Sequence, residues 1–409
     1  MSTQRSALVV GLGIAGMAAA IGLRQAGWRV TVIERAAQRR LGGHFIGLFG
    51  TGLSAARRLG VMDAVHTRTP RRAKTWAVTR GGDRTQTGGF LDQPGEPQGV
   101  LRGDVEAALF ENLGDVEVRY STVPTAIEDV VGGALVSTRD GMGHERCERF
   151  DLVVGADGLR STVRRLVFGP HERFMKPMHA MICAFQLRAQ VPYFPVDHGL
   201  ILAEPRRSLW VFPFEDCAPT ALFSYRTRDI DAQFREPPRT VLRRTYGPEP
   251  FGEILEHVLD EFDRAEHFLF DSVHQVSMRT WCSGRTVLVG DAACCMTLYS
   301  GMGASVGLAA GSLLGRLLAR HEGDVRGGAA PVGGAADAVH AAASAGGAVQ
   351  VAGVHPERAG RARADEGSAP ARRDAAAERR AEPGRAVLRA PDERRFRRVG
   401  GCEGRSFGR

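Results

Sequence analysis

The chain has 409 residues, which is enough for two domains with a sizeable hydrophobic core. The net charge is +8, and residues 325–409 contribute +6 of it, with 16 arginines against 10 acidic residues. Residues 1–324 are therefore nearly neutral, and we expect them to have no nucleic-acid partner. The sequence has no apolar run of about 18 residues, so we expect no membrane span, and a cytoplasmic location follows by default. Its seven cysteines include no CxxC pair, so we expect neither a disulfide framework nor a metal site.

The first elements predict a strand–turn–helix–strand unit. Residues 6–10 form a short apolar run before a glycine turn, which is typical of a buried parallel strand. Residues 14–26 carry small and apolar residues at helical spacing and stop at Gly27, a residue that commonly ends a helix. Residues 29–34 alternate as a second strand. The unit has about the length that a βαβ arrangement requires.

The middle of the chain changes from α/β to antiparallel character. After a helix over 103–113 and strands over 117–119, 134–138 and 151–155, four short strand-like runs are separated by Pro, Asp and Gly. These runs cover residues 181–188, 200–204, 208–214 and 221–226. They predict an antiparallel sheet inserted into the α/β scaffold. Helices over 241–246 and 251–262, a buried strand over 286–289 and a helix over 304–321 complete the pattern.

The pattern fails after about residue 324. Residues 325–409 contain one leucine, two phenylalanines and no Ile, Met, Trp or Tyr. Such a segment cannot bury enough apolar surface to offset its ordering entropy, so we expect it to be disordered or poorly packed. Its Ala, Gly, Arg and Pro are the residues that GC-rich codons give in a wrong reading frame. We therefore interpret the tail as the product of a frameshift near residue 325, in the gene or in its recorded sequence.

A glycine-rich motif, GLGIAG, occupies residues 11–16 between the first strand and the first helix. Gly11 permits a tight turn, Gly13 lets the backbone approach a pyrophosphate, and Gly16 lets helix and strand pack closely. The helix N-terminus then offers free N–H groups to the phosphates. Glu34 ends the second predicted strand, where its carboxylate can bind ribose hydroxyls. The motif predicts a dinucleotide cofactor but does not distinguish NAD from FAD.

Two further strand ends carry short glycine–aspartate motifs. The strand over 151–155 leads into an Asp-Gly turn. The strand over 286–289 leads into Gly-Asp-Ala-Ala and then into a Gly-Met-Gly that opens the last helix. The residues of these motifs are Asp157, Gly158, Gly290, Asp291, Gly301, Met302 and Gly303. The N–H groups at that helix start would favour a negatively charged edge of a ligand.

In this order the three motifs resemble the class A flavoprotein monooxygenases, the para-hydroxybenzoate hydroxylase-like family of aromatic, polyketide and tetracycline hydroxylases. The resemblance covers about residues 5–322. It implies an α/β fold in which a Rossmann-like FAD-binding domain, residues 1–175 and 270–322, carries an inserted antiparallel β-sheet substrate domain, residues 176–269.

The resemblance also implies roles for individual residues. Glu34 would bind the adenosine ribose, and Arg102 would lie near the pyrophosphate and the flavin. The Asp157 turn would serve both FAD and transient NAD(P)H, Asp291 would bind the ribityl chain, and residues 301–303 would approach the flavin pyrimidine edge. The full predicted cofactor set is Gly11, Gly13, Ile14, Ala15, Gly16, Glu34, Arg35, Arg102, Asp157, Gly158, Gly290, Asp291, Gly301, Met302 and Gly303.

The activity that the resemblance implies is hydroxylation of an aromatic or polyketide-like small molecule, as in secondary metabolism. NAD(P)H would reduce the bound FAD, and O₂ would form a flavin C4a-hydroperoxide that delivers the oxygen atom. NAD(P)H would bind transiently, because the chain has only one GxGxxG. We name no catalytic side chain, since the flavin carries the chemistry. A flavin-dependent halogenase, a flavin reductase and a flavoprotein inactivated by the aberrant C-terminus remain alternatives.

Aromatic residues on the inserted sheet are the candidates for the substrate site. Trp210, Phe212 and Phe214 alternate along one run and so share a face, and Tyr225 lies on the next run. Singly, each is more often a core residue than a ligand contact. As a set they favour a flat hydrophobic or aromatic substrate. The oligomeric state is not predicted.

Two stretches depart from the family pattern. The loop between Ala293 and Gly301 carries Cys294 and Cys295 but no proline. The helix that follows has Ala-Ala-Gly over residues 309–311, where the family usually carries acids. The shape of the loop beside the flavin is therefore open. A reactive Cys294 is conceivable, but a small buried cysteine is the favoured interpretation.

Overall fold

The computed structural model describes residues 4–39 and 42–320, which form eighteen strands and seven α-helices. The predictions for residues 325–409 and for the end of the helix expected over 304–321 lie outside this part of the chain. The strands are β1 (Ser6–Val10), β2 (Arg29–Ile33), β3 (Phe45–Leu48), β4 (Lys74–Val78), β5 (Arg84–Thr87), β6 (Gln98–Leu101), β7 (Glu117–Arg119), β8 (Val123–Val130), β9 (Gly133–Arg139), β10 (Glu145–Phe150), β11 (Leu152–Gly155), β12 (Met175–Gln186), β13 (His198–Glu204), β14 (Arg207–Phe212), β15 (Thr220–Arg226), β16 (Leu269–Val276), β17 (Cys282–Ser283) and β18 (Thr286–Leu288). The helices are α1 (Ile14–Gln25), α2 (Gly50–Leu59), α3 (Arg102–Glu111), α4 (Thr162–Val167), α5 (Pro238–Tyr246), α6 (Gly252–Asp263) and α7 (Gly303–Arg320).

A six-stranded sheet in the order β17-β18-β11-β1-β2-β7 forms the first layer of the fold. Its neighbouring strands run parallel, except for the antiparallel pair β17 and β18. The central strands β1 and β11 are buried on both faces, which explains why they read as continuous apolar runs. Val10 lies opposite Gly155, and Gly155 lies opposite Leu288, so three strands end at the same edge.

Helices α1 and α7 cross at close range over this sheet because both carry glycine at the contact. A Cβ atom at Gly311 would lie 2.5 Å from the backbone of Ala18, and one at Gly315 would collide with the carbonyl oxygen of Gly22. Small residues therefore let the two backbones meet. This packing accounts for Gly311 in the stretch where the family usually carries acids.

A seven-stranded sheet in the order β16-β12-β15-β14-β13-β4-β5 forms the second layer. Its strand pairs are antiparallel, apart from the parallel pair β13 and β4. Helices α5 and α6 cover one face and bury a core that includes Phe223, Tyr246 and Phe262. The sheet uses β4 and β5, so it draws on more of the chain than the predicted segment 176–269. The domain bounds stay a prediction.

Two smaller sheets complete the described part of the chain. Strands β8, β9 and β10 form an antiparallel meander, and β3 pairs with β6. Sequence periodicity missed β3, β6 and α2, since each is short or only partly apolar. Within residues 4–39 and 42–320, no helix has the length and apolar character needed to cross a membrane.

Candidate functional site

The three predicted motifs meet at one edge of the parallel sheet. The N–H of Gly11 donates to the Ile33 carbonyl at 2.8 Å, and the N–H of Ala156 donates to the Val10 carbonyl at 2.8 Å. A Cβ atom at Gly11 would lie 2.6 Å from the Ala156 carbonyl oxygen, and one at Gly290 would lie 2.6 Å from the Ala15 side chain. The glycine-rich turn, the Asp-Gly turn and the Gly-Asp turn therefore line one cleft.

Glu34 holds the glycine-rich turn in place. Its carboxylate accepts the Leu12 N–H and the Ala36 N–H, each at 2.9 Å. A carboxylate has about four acceptor positions, so both backbone bonds leave capacity for a further partner. The predicted contact with ribose hydroxyls fits this geometry and stays a prediction.

Gly13 is not required by contacts within the protein. Its φ of −82° suits any residue, and a Cβ atom there would meet no protein atom within 4 Å. Gly16 is the opposite case, because its Cβ atom would collide with the Gly11 carbonyl oxygen. The protein itself thus explains Gly16 and Gly11, whereas open space lies beside Gly13 at the N-terminus of α1. An extended phosphate-bearing cofactor fits this cradle.

The side chain of Asp157 is turned to the start of α4. Its carboxylate accepts the Ser161 hydroxyl at 2.5 Å, the Thr162 N–H at 2.6 Å and the Val163 N–H at 3.1 Å. Burial raises the pKa of this carboxyl, and these hydrogen bonds oppose the rise. The adjacent Gly158 has a φ of +79° and open space around it. The turn, rather than the carboxylate, is what this region presents to the cleft.

A fully buried arginine, Arg164, connects the second and third motifs. Its guanidinium donates to the Ala292 carbonyl at 2.9 Å and to the Leu159 carbonyl at 2.7 Å. Burial lowers the pKa of this guanidinium, and Asp157 opposes that effect. The sequence reasoning missed Arg164, because two adjacent arginines in a short helix resemble a solvated surface.

Three titratable groups gather near the third motif. Asp291 is accessible from the cleft but enclosed by protein on its other sides, and this burial raises the pKa of its carboxyl, while the charge of Arg102 opposes the rise. Burial and the same Arg102 charge lower the pKa of His44 to about 4. The N–H of Arg102 donates to the His44 carbonyl at 3.0 Å, and its guanidinium donates to Glu106 at 3.0 Å. Arg102 therefore lies near Asp291 and His44, and its predicted contact with the cofactor stays a prediction.

The loop between Ala293 and Gly301, which lacks proline, is held by hydrogen bonds of a serine hydroxyl group. Thr297 has a φ of +78°, which is unusual for a β-branched residue. The Ser300 hydroxyl donates to the Thr297 carbonyl at 2.9 Å and accepts the Met302 N–H at 3.2 Å. Burial raises the pKa of the Cys294 thiol, and it raises that of Cys295 to about 12. Both thiols are half-buried, and their raised pKa values make them poor nucleophiles near neutral pH, which disfavours a reactive Cys294.

The start of α7 lies beside this loop and against the aspartate of the third motif. A Cβ atom at Gly303 would lie 3.8 Å from the Asp291 carboxylate, and one at Gly301 would lie 2.8 Å from the Phe90 ring. The first N–H groups of α7 have no acceptor within the helix, as at every helix start. Arg35, the residue after Glu34 in the predicted cofactor set, is exposed, and its predicted role stays a prediction. Farther along the same loop, the guanidinium of Arg39 lies over the Phe110 ring, 4.9 Å from its centroid.

An aromatic cluster lies between the cleft and the seven-stranded sheet. Phe212 stacks on Phe45 with ring centroids 4.4 Å apart, and Trp210 stacks on Phe212 at 5.9 Å. Phe90 meets Phe45 edge-on at 5.1 Å and Phe49 at 5.5 Å. The sequence reasoning missed Phe45, Phe49 and Phe90, because they stand in separate short elements without a shared periodicity.

Two of the four predicted substrate residues lie away from open space. Phe214 follows β14 and is fully buried, with its ring 5.7 Å from Phe45. Tyr225 is a correction, because it lies on the opposite face of the sheet in the core beneath α5, where its hydroxyl donates to Gln233 at 3.0 Å. The strand register alternates the two faces, and Tyr225 has the parity of the helix-covered face.

Comparison with known proteins gives consistent matches. The sequence model of the FAD binding domain family matches residues 4–330. A flavin-dependent monooxygenase of an unknown prokaryotic organism is 28% identical over 326 residues, covering 78% of this chain and 81% of the relative. The 2-heptyl-3-hydroxy-4(1H)-quinolone synthase of Pseudomonas aeruginosa is 28% identical over 331 residues, covering 76% of this chain and 80% of that enzyme. The crystal structure of the tetracycline destructase Tet(51) is similar with a TM-score of 0.66 and 26% identity, covering 83% of this chain and 87% of that one.

Proposed function

Since this chain belongs to the FAD binding domain family and is an FAD-dependent monooxygenase, we propose that it uses NAD(P)H and O₂ to hydroxylate an aromatic or polyketide-like small molecule. Family membership confirms the predicted α/β fold class and the predicted FAD cofactor. The observation that supports the proposed reaction is the contact between the cofactor cleft and an aromatic cluster, made where Gly301 meets Phe90.

FAD supplies the redox and oxygen chemistry when bound, and the protein's task is to hold it and exclude water. We assign the cradle beside Gly13 to the pyrophosphate and the carboxylate of Glu34 to the adenosine ribose. We assign Asp291 to the ribityl chain and the first N–H groups of α7 to the pyrimidine edge of the flavin. A helix start favours a negative charge by roughly 0.3–1 kcal/mol, and by more where solvent is excluded.

In this proposal NAD(P)H binds only transiently. The glycine-rich turn that begins α1 is the one GxGxxG in the sequence, and FAD takes it. We assign the open turn at Gly158 to the approach of the nicotinamide nucleotide, as the second role that the Asp-Gly motif was expected to have.

The substrate would lie against the aromatic cluster. Trp210 and Phe212 are partly exposed, so a flat apolar molecule can stack on them and displace water. Two relatives bear names that refer to a quinolone and to tetracycline, which supports a ring-bearing substrate.

The decisive experiment measures reduction and oxygen transfer separately on purified protein. Bound FAD is first identified from its absorbance spectrum, and NADH or NADPH is then added without oxygen in the presence of aromatic and polyketide candidates. We expect the flavin to bleach, and we expect ¹⁸O₂ to label the product after air is admitted. Phe212→Ala should lose product formation while retaining FAD, and Tyr225→Phe serves as the control from the opposite face of the sheet. Bleaching without labelled product for any candidate would indicate a reductase instead.

A further inference from the structure

The register of the seven-stranded sheet divides its cleft-facing side into three rows. In the first row Phe212 lies opposite Thr220, in the second Trp210 lies opposite Leu222, and in the third Ser208 lies opposite Ser224. Rows two residues apart on one face are separated by about 7 Å. The first and third rows are therefore about 13 Å apart.

The first row is covered by β3. The Phe45 ring stacks on Phe212, and the Phe45 N–H donates to the Thr220 hydroxyl at 3.0 Å. This contact is buried, so the apolar end of the sheet face is closed.

The third row is covered by a different part of the chain. Tyr299, on the loop between the Gly-Asp motif and α7, places its hydroxyl oxygen 2.6 Å from the Ser224 hydroxyl oxygen. Ser224 is buried, but Tyr299 exposes 52% of its surface. Beyond Ser224 the row continues to Ile182 and Asp271. Asp271 is neutralised by a two-point pair with Arg160, at 2.7 and 3.0 Å.

The second row lies between these two contacts and carries apolar, partly exposed side chains. Its members include Trp210, Leu222 and Ile201, which lie side by side on adjacent strands. The sheet face thus forms the floor of a slot, with an apolar end at Phe45 and a hydroxyl-bearing end at Tyr299.

We propose that Tyr299 and Ser224 form a polar anchor that binds an uncharged hydroxyl or carbonyl group at one end of the substrate. The proposal rests on the proposed function and narrows its substrate class to flat apolar molecules with a neutral polar group at the end away from Phe45. Two bonded hydroxyl groups keep one O–H donor and several lone pairs for a third partner. The anchor itself carries no charge, and Asp271 takes up the guanidinium of Arg160, so neither group of this ion pair is free to attract a carboxylate.

The test measures equilibrium binding of small probes to the oxidised holoenzyme. Binding is monitored through the change in flavin absorbance, and no NAD(P)H is added. The probes are 2-naphthol, naphthalene and 2-naphthoate, which differ only in the polar group. We expect 2-naphthol to bind about fivefold more tightly than naphthalene, the worth of one net hydrogen bond, and 2-naphthoate to bind no more tightly than naphthalene. Y299F and S224A should remove the preference for 2-naphthol and leave naphthalene affinity unchanged.

Tyr193→Phe is the matched control, because Tyr193 is a 73% exposed tyrosine on the same sheet domain, and it should behave as the wild type. The proposal is overturned if the wild type binds 2-naphthol no better than naphthalene, or fails to bind it. It is also overturned if Y299F lowers the affinity for both 2-naphthol and naphthalene together with FAD retention. That result would show that Tyr299 only supports the structure by linking the loop to the sheet. Because no reduction or oxygen is involved, a failure of the hydroxylation assay alone leaves the binding result standing and refutes only the proposed function.

Discussion

Replacing Gly13 by alanine separates a glycine that serves the cofactor from one that serves the fold. Gly13 has an extended backbone and no protein atom within 4 Å of an added Cβ atom. Gly16, three residues along the same motif, has the Gly11 carbonyl oxygen in the place of its Cβ atom. Gly13→Ala should therefore impair FAD binding without impairing folding, whereas Gly16→Ala should impair both.

The expected magnitudes follow from this geometry. At Gly13, alanine gains about 0.4–1 kcal/mol from a less flexible unfolded chain. It loses a similar amount as a poorer helix N-cap, so the unfolding free energy of the apoprotein should change by less than about 1 kcal/mol. At Gly16, overpacking costs about 1–3 kcal/mol or more. A methyl group in the Gly13 cradle holds the pyrophosphate away from the backbone, and we expect FAD affinity to fall at least tenfold, or about 1.4 kcal/mol.

The assay compares urea unfolding of the apoproteins with FAD titration followed by quenching of flavin fluorescence. If Gly13→Ala binds FAD as tightly as the wild type, the cradle is not where the pyrophosphate lies. If it unfolds as readily as Gly16→Ala, the space beside Gly13 is not open in solution, and the argument from glycine geometry fails.

Three further substitutions test the groups that hold the cleft. Glu34→Gln leaves one of two backbone N–H groups without its carboxylate acceptor, so the unfolding free energy in urea should fall by about 1–2 kcal/mol, and FAD affinity should fall with it; unchanged stability would contradict the geometry. His44 has a pKa of about 4 in the folded protein against an ordinary 6.5, so the unfolded chain takes up the proton first as the pH falls. Relative to His44→Gln, the wild type should lose at most about 3 kcal/mol of unfolding free energy between pH 6.5 and pH 4, and none above pH 7. The same dependence of unfolding free energy on pH in both proteins would refute this. In Arg164→Lys, the lysine cannot reach both carbonyl groups, so we expect the free energy of unfolding to fall by about 2–3 kcal/mol and FAD retention to decrease. FAD retention equal to that of the wild type would show that the contact of Arg164 with both motifs is dispensable.

The cofactor edge could be predicted from sequence because its determinants are local. Each motif is a buried strand followed directly by glycine or aspartate, and parallel strands bring their carboxyl ends to one edge whatever the intervening chain does. The register of Val10, Gly155 and Leu288 is the consequence. The aspartate of the second motif shows the limit of such reasoning, since the sequence indicated the turn but not that α4 would take up its carboxylate.

The substrate side could not be predicted to the same depth, because it depends on non-local pairing. Strand β4 pairs with β13 across more than a hundred residues, and Phe45 reaches Phe212 from a four-residue strand. Period-two alternation places residues on faces but does not say which face the helices cover. That choice put Tyr225 in the core beneath α5 and left Trp210 open to the cleft.

Arg164 shows that sequence alone does not distinguish a buried arginine that supports the cleft from an exposed arginine beside it. Arg164 and Arg165 are adjacent, yet the first is fully buried and the second is exposed, because successive residues of a helix point about 100° apart. Sequence cannot select between them until the orientation of α4 is known. Asp157 accepts the first two N–H groups of this helix, and Ser161 is its N-cap. The aspartate expected to serve the cofactor directly thus acts on the cleft through a helix. The buried guanidinium of Arg164 donates to the carbonyl of Ala292, the residue directly after Asp291.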